Sequence, residues 1–468
     1  MTTDGFERIR VLWPDHLGLA RGKYLPAAAG PAGATTRVAR HCTGTWALGF
    51  DRQMTPGAEG SGFFAGLPDM EARFDMAAVR PGWEPRTGVV VADLCDSAGA
   101  PVLVSPRAAL RRAVDAWGGL GYAPEVGVEL EAYLMEPVPG GGGWRPVHTP
   151  GAYVYGTGPA VDPHGVVEEL WDAAAAAGIE VEAINSEYEQ SQFEFTLGHA
   201  PALEAADRAF LFKLMARELA ARRGLLWTFV GKPVTDRGGS GLHVNLSLCR
   251  LEVAGGTGSA PTGAGGGAGS GSGSAGLAAS GGIGANAFDD PAGEGGLSDL
   301  ARRCVAGLLA HHRGLAGVCA PTVNAYRRLR PAQMSGYWAN WGWDHRGVTV
   351  RIPPERGAGT RLEHRLSDGA APVHTAVAAV LQAARLGLVD EPVLPPAETG
   401  DGWESVNTDV HVPADLGAAL DALEADGALC EALGKELVLQ QVAIKRTEWD
   451  RYCATTTDWE LAEYLPFL

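Results

Sequence analysis

Four short stretches of this chain set polar and charged side chains two positions apart. That is the period that places residues i and i+2 of a strand on one face. In VGVELEAYL, Glu129 and Glu131 point the same way; in SEYEQSQFEF, Glu187 goes with Glu189, and Gln192 with Glu194. In SGLHVNLSL, His243, Asn245 and Ser247 share a face, and Leu242, Val244, Leu246 and Leu248 line the other. TRLEHRLSD aligns Arg361, Glu363 and Arg365, and a further stretch, GVTVRIP, carries Arg351 as the polar exception in an apolar strand. A half-exposed antiparallel strand alternates in the same way. A solvated face, however, mixes lysine, threonine, glutamate and serine, and lysine is absent from all of these faces.

Glutamates with one histidine and no cysteine suit Mg²⁺ or Mn²⁺ better than zinc. Converging carboxylates repel one another unless cations neutralise them. Arginines on neighbouring strands suit a phosphate or carboxylate gripped through two N–H groups. Together these groups describe phosphoryl transfer from a nucleotide, where positioning and charge neutralisation do most of the catalysis. The sequence has neither a Walker A loop nor a dinucleotide GxGxxG between a strand and a helix, so the nucleotide site is of another kind. A second concentration of charge is NAYRRLRPAQMSGYW, residues 324–338, where Arg327, Arg328 and Arg330 precede a neutral run containing Met334. The formal net charge of -17 argues against generic nucleic-acid binding but allows an anionic substrate at a local arginine cluster.

The elements that must hold these residues follow from turn and cap signals. At 468 residues the chain is too long for one simple core. Residues 1–104 read as β-rich, with RIRVLWPD and GVVVADLCD as strands. Ser105 and Pro106 then cap a helix, and residues 105–468 form a larger unit of strands and helices. Asp162 and Pro163 open a helix that Gly178 stops; a later helix presents Leu211, Leu214, Met215 and Leu219 on one face and ends at Gly224. Residues 254–285 are a Gly/Ser/Ala-rich, disordered surface insertion, GGGG at 140–143 is a lesser loop, and the part from about 372 onward reads as helical. Its clearest amphipathic segment is ADLGAALDALEADGALCEALG. Seven scattered cysteines without CxxC or Cys-His spacing argue against zinc and a disulfide framework, and no signal pattern or long apolar run is present. A reduced, cytoplasmic protein with no membrane and no nucleic-acid partner is the expectation.

The motifs VELEAYL, EYEQSQFEF, GKPVTDRGGSGLHVNLSL, NAYRRL, DHRGVTVRIP and RLEHR occur in the order and spacing of the glutamine synthetase family, and the chain resembles that family over nearly its whole length. The resemblance implies an α+β fold: a small N-terminal β-grasp domain and a large C-terminal catalytic domain with a curved antiparallel sheet flanked by helices. It implies a homo-oligomer, a hexameric ring or two stacked rings in a dodecamer, with active sites between subunits. The implied chemistry uses ATP and two Mg²⁺ or Mn²⁺ ions. Glutamate's side-chain carboxylate takes the γ-phosphate, and an amine then displaces phosphate to form an amide. One metal would sit on Glu131, Glu187 and Glu194, the second on Glu129, His243 and Glu363. Asn245 and Ser247 match nucleotide-contacting positions. Arg346 and Arg351 match the arginines that hold the transferring phosphate. Glu131, Gly239, Arg328 and Arg365 match glutamate-binding positions, Arg328 gripping the amino-acid carboxylate. Arg327 and Arg330 read as surface charge. Asp51, in GFDRQ, matches over a short stretch the aspartate that reaches into the neighbouring subunit's site to take up ammonium.

The departures from the family pattern bear on the amine. Ammonia-using members carry a glutamate six residues after the arginine equivalent to Arg328, and here that position is Met334. A thioether can neither accept a proton nor pair with a cation. Gly238 replaces the asparagine usual before GSGxH, and the family's regulatory NLYDLP segment is absent. Near Met334, Tyr337, Trp338, Trp341 and Trp343 read either as core packing or as the aromatic walls of an amine pocket. The expectation is an ATP-dependent ligase joining glutamate to an organic amine: a polyamine, a monoamine or an amino acid. The alternatives are a glutamine synthetase using ammonia and a non-catalytic structural or regulatory ring.

Overall fold

The glutamates at a period of two lie on one long strand, Tyr122–Pro137, in this computed structural model, which describes residues 5–28, 35–252, 283–403 and 406–468. Val126, Val128, Leu130, Ala132 and Leu134 are buried on one face of the strand. Glu125, Gly127, Glu129, Glu131 and Tyr133 alternate with them and share the other face. The strand pairs antiparallel with Gln192–Leu197 on one side and Leu242–Leu251 on the other. Beyond Gln192–Leu197 comes Val181–Ser186; beyond Leu242–Leu251 come Leu362–His364, Val350–Ile352 and Trp341–Trp343, the last two parallel.

Helices Pro106–Gly118, Ala202–Arg222 and Val373–Val389 pack behind the apolar face of this sheet. Val373–Val389 is apolar around almost its whole circumference, so it is buried on nearly every side. Glycine lets it approach helix Asp299–Ala310 closely: a Cβ on Gly387 would lie 2.0 Å from the Arg303 carbonyl oxygen. Leu211, Met215 and Leu219 of Ala202–Arg222 face this core, and the helix ends where Gly224 takes a φ of +71° and Leu225 N–H bonds the Ala220 carbonyl.

The first part of the chain builds two small sheets. One runs Ala20–Pro26, Arg8–Pro14, Thr87–Val91 and Arg80–Pro81; the other runs Thr36–Cys42, Asp69–Asp75 and Asp93–Cys95. Ile9, Val11 and Trp13 point into their shared core with Trp46, Met70 and Phe74, while Leu12 joins the large core. Polar contacts tie the two units together, among them Arg10 to Glu218 at 2.8 Å and Gln440 to the Trp46 carbonyl at 2.7 Å. The molecule is α+β, a small N-terminal sheet unit beside a large sheet unit backed by helices. Among the described residues, no helix is long and apolar enough to cross a membrane.

Local expectations differ from the structure in five places. GVVVADLCD is two strands in two sheets, broken at Ala92. The helix expected from Asp162 starts at Val166, because Gly165 adopts a φ of +64° at the cap and Asp162 folds back to accept the Val167 N–H. Residues 187–191 are a connection, so the period-of-two rule does not govern Glu187 and Glu189. The segment beginning ADLGAAL is two helices, because the Asp426 side chain caps a second one, Gly427–Leu433, on the Leu429 N–H. The low-complexity insertion lies outside the described residues up to 282; from Ile283 the chain is a strand, Ile283–Asn286, rather than an insertion.

Candidate active site

Register brings the polar faces together. Glu129 lies opposite His243, Glu131 opposite Glu194, Asn245 opposite Glu363, and Glu363 opposite Arg351. His243 Nδ1 donates to Glu129 at 3.0 Å, and its Nε2 lies 3.6 Å from Glu131. Asn245 donates to the other Glu129 oxygen at 2.9 Å. Ligand atoms of Glu129, Glu194 and His243 all fall within 4.8 Å of one another, so these three residues could hold a metal ion. The expected partition put Glu194 with Glu131 and Glu187; among the described residues, Glu194 also comes within reach of Glu129 and His243.

The electrostatics are those of an unneutralised anion cluster. Burial, then the charges of Glu129, Glu131 and Glu187, push Glu194 up to about 8. Burial and Glu131 raise Glu187 as well. Burial also opposes ionisation of Glu129, but the hydrogen bonds from His243 and Asn245 outweigh it and hold the carboxyl below its ordinary value. His243 is raised: burial and Arg365 work against its charge, and Glu129 and Glu131 overcome them. A divalent cation favours the ionised form of carboxyls whose ionisation burial and neighbouring charges oppose, and oxygen donors with one imidazole fit Mg²⁺ or Mn²⁺. The donor set therefore fits the divalent ions of phosphoryl transfer.

Arginines edge the cluster. Glu363, 1% exposed, is gripped by Arg351 at 2.6 Å and by Arg365. Despite burial, Arg365, His243 and Arg351 bring Glu363 down to about 2. Arg351 also bonds Asp344, at 2.5 Å. Arg346 is exposed and has no hydrogen-bond or ion-pair partner among the described residues. Arg328 is 4% exposed; its guanidinium donates to the carbonyls of Leu366 and Arg365, at 3.1 and 3.3 Å, and among the described residues no carboxylate hydrogen-bonds it. Arg327 is exposed on Tyr452, and Arg330 is exposed.

The glycines of GGSGLH are needed for close approach. A Cβ on Gly239 would sit 2.8 Å from Arg328 Cγ, and one on Gly241 2.6 Å from the Arg328 guanidinium and 3.1 Å from His243 Nε2. The Gly241 N–H donates to Glu131 at 2.7 Å, and the Gly239 carbonyl accepts from Gln192 at 2.9 Å. Ser247 lies farther along the strand, in a cavity of about 210 Å³ whose walls include Gly127, Glu129, Asn245 and Arg361.

Met334 is 43% exposed with a φ of +47°, and its carbonyl accepts from Arg365 at 3.5 Å. The aromatic stretch beside it is mostly packed. Tyr337 stacks on His411 at 5.1 Å, Trp341 bonds the Pro395 carbonyl, and Arg356 covers Trp343. Asp51 lies apart from the cluster, paired with Arg451. Sequence reasoning missed Tyr133, whose hydroxyl bonds the Gly238 carbonyl at 2.8 Å; the period of two through Glu129 and Glu131 leads straight to it. It also missed Asn185, which donates to Glu187 two positions on, and Asp344 on Arg351.

The family described as "Glutamine synthetase, catalytic domain" matches residues 103–254 and 270–464. A glutamine synthetase of Thermotoga maritima is 31% identical over 393 residues, 80% of each chain. The gamma-glutamylethanolamide synthetase GlnA4 of Streptomyces coelicolor is 28% identical over 464 residues, covering 97% of this chain and 92% of its own. Solved structures of GmaS, one without ligand and one with ADP, superpose with a TM-score of 0.80 at 28% identity; the ADP complex covers 99% of this chain and 97% of its own.

Proposed function

Because the chain belongs to the glutamine synthetase family, whose members are ATP-dependent ligases forming C–N bonds, we propose that it joins glutamate to an organic amine as a γ-glutamyl amide. The observation that carries the choice of amine is Met334. Its side chain is half-exposed and its backbone carbonyl accepts from Arg365, and a thioether can neither accept a proton from ammonium nor balance its charge. An organic amine brings apolar surface of its own, for which a thioether is a favourable contact. The likeness to GlnA4 over nearly the full length supports the same reading. Relatives named glutamine synthetase favour ammonia as the second reading.

In the proposed reaction, Arg328 and the Gly239 region bind glutamate's α-carboxylate end. Arg346 and Arg351 approach the transferring phosphate, and ATP occupies the cavity over Ser247 and Asn245. Two divalent ions held by Glu129, Glu131, Glu187, Glu194, His243 and Glu363 would neutralise phosphate charge when bound. The γ-carboxylate oxygen attacks the γ-phosphorus and ADP leaves. The amine then attacks the acyl carbon, phosphate departs, and the nitrogen loses a proton. The working form is a cytoplasmic ring of six or twelve copies.

The test measures phosphate release with ATP, Mg²⁺ and glutamate against ammonia, ethanolamine, methylamine, putrescine and amino acids, with products identified by mass. At least one organic amine is expected to exceed ammonia about tenfold in kcat/KM, a difference of about 1.4 kcal/mol in transition-state stabilisation. Ammonia outperforming every amine would overturn the proposal. Met334→Glu should raise activity with ammonia; a folded variant that gains none would remove Met334 as the determinant.

A further inference from the structure

Gly238 stands where the family pattern has asparagine, yet its backbone does not ask for a glycine: its φ is outside the left-handed region. What asks for it is space. A Cβ on Gly238 would lie 3.2 Å from Glu189 Cγ and 3.4 Å from Gln192 Oε1. Glu189 comes from the connection 187–191, and its carboxylate accepts the Gly238 N–H at 2.9 Å. The volume that a side chain at 238 would enter is taken by a carboxylate from another part of the chain.

The turn is also held without Glu189. Ser240 N–H bonds the Gly231 carbonyl at 2.7 Å, the Tyr133 hydroxyl bonds the Gly238 carbonyl at 2.8 Å, and Gln192 bonds the Gly239 carbonyl at 2.9 Å. One Glu189 oxygen serves Gly238. The other has no hydrogen-bond or ion-pair partner among the described residues. An ionised carboxylate accepts through both oxygens, so half of this one is open. Burial and then the charge of Glu189 raise the Tyr133 hydroxyl, ahead of Glu131 and Glu187, so of these carboxylates Glu189 acts most strongly on this turn. Gly239, the next residue, packs against the buried Arg328. A carboxylate and a guanidinium thus meet successive residues of one turn.

An α-amino acid carries the complementary pair, a carboxylate and an ammonium on one carbon. We propose that Glu189 receives the α-ammonium of the acid substrate while Arg328 receives its α-carboxylate, so that Glu189 selects an α-amino diacid over a simple diacid. The inference rests on the ligase reading. The ammonium brings three donors, and a bond from it to a carboxylate is charge-assisted. An acid without the ammonium leaves the half-buried Glu189 unpaired, and a site built for a polar group rejects the analogue that lacks it.

The experiment compares L-glutamate with glutarate, which lacks only the α-ammonium, in steady-state kinetics with ATP, Mg²⁺ and the amine that serves best. Glutarate is also measured as a competitive inhibitor, so its affinity is read even without turnover. The parent chain should hold glutamate at least tenfold more tightly than glutarate. Glu189→Gln keeps the length of the side chain and an oxygen for the Gly238 N–H, and removes the charge. Its KM for glutamate should rise about tenfold, while the inhibition constant of glutarate and the KM for ATP hold. Equal weakening of both acids would make Glu189 a prop of the turn and overturn the proposal. So would loss of the melting-temperature gain on adding Mn²⁺, which would make it a metal ligand. A parent chain that holds glutarate as tightly as glutamate overturns it with no variant at all, so the test survives a Glu189→Gln chain that does not fold. An unchanged KM for glutamate in Glu189→Gln, with the parent active, overturns this inference and leaves the ligase reading intact. A parent chain that releases no phosphate with glutamate and any amine overturns both.

Discussion

Glu194 shows most clearly what the site needs. Its carboxyl titrates at about 8 in the folded chain, against an ordinary 4.5. Between those values the folded chain keeps a proton that the unfolded chain has lost, so apo stability from this group falls as pH rises through the window. A divalent cation removes the repulsion that causes the shift. The melting-temperature gain on adding Mn²⁺ is therefore expected to be larger at pH 8 than at pH 6, and scanning calorimetry at the two values checks it. A gain that shrinks with pH would contradict the assignment. Gly241 supports a second prediction at this scale. In Gly241→Ala the new methyl collides with the Arg328 guanidinium, so the KM for glutamate should rise about tenfold or more while the KM for ATP holds. Steady-state kinetics on a variant of unchanged melting temperature decides it.

Among the elements, the site-bearing sheet is positioned by helices locked through one buried acid. Asp207 accepts from Arg107 at 3.0 Å and from His374 at 2.8 Å, joining Ala202–Arg222 to Pro106–Gly118 and Val373–Val389. Burial opposes its ionisation, yet Arg107 and His374 hold it at about 2, below its ordinary 3.8. Stability from this group is complete above about pH 4 and is lost as pH falls towards 2. Asp207→Ala leaves the buried Arg107 guanidinium with Asp93 alone and takes the partner of His374, and should cost about 3 kcal/mol, read from urea unfolding. The strands that carry Glu129 and His243 were legible because an apolar face must alternate with the polar one. The helix starts at Val166 and Gly427 were not. Each depends on where an aspartate side chain folds back, which several neighbouring residues could equally have done.

At the scale of the molecule, Asp51 lies outside this chain's own cluster, so a role in the chemistry requires another copy to bring it there. Light scattering should give a mass of six or twelve chains; a monomer with full ligase activity would remove Asp51 from the site. The sequence by itself determined the residue types, the period that puts Glu129 with Glu131 and His243 with Asn245, and, through ordered motifs, the family. Those are properties of side-chain chemistry and of one strand's alternation. Tertiary structure alone decided that Glu194 falls in with Glu129 and His243, and that Glu363 is shared by two arginines. Strand register and helix docking set those distances, and both are fixed by contacts between residues remote in the chain, which no local pattern records.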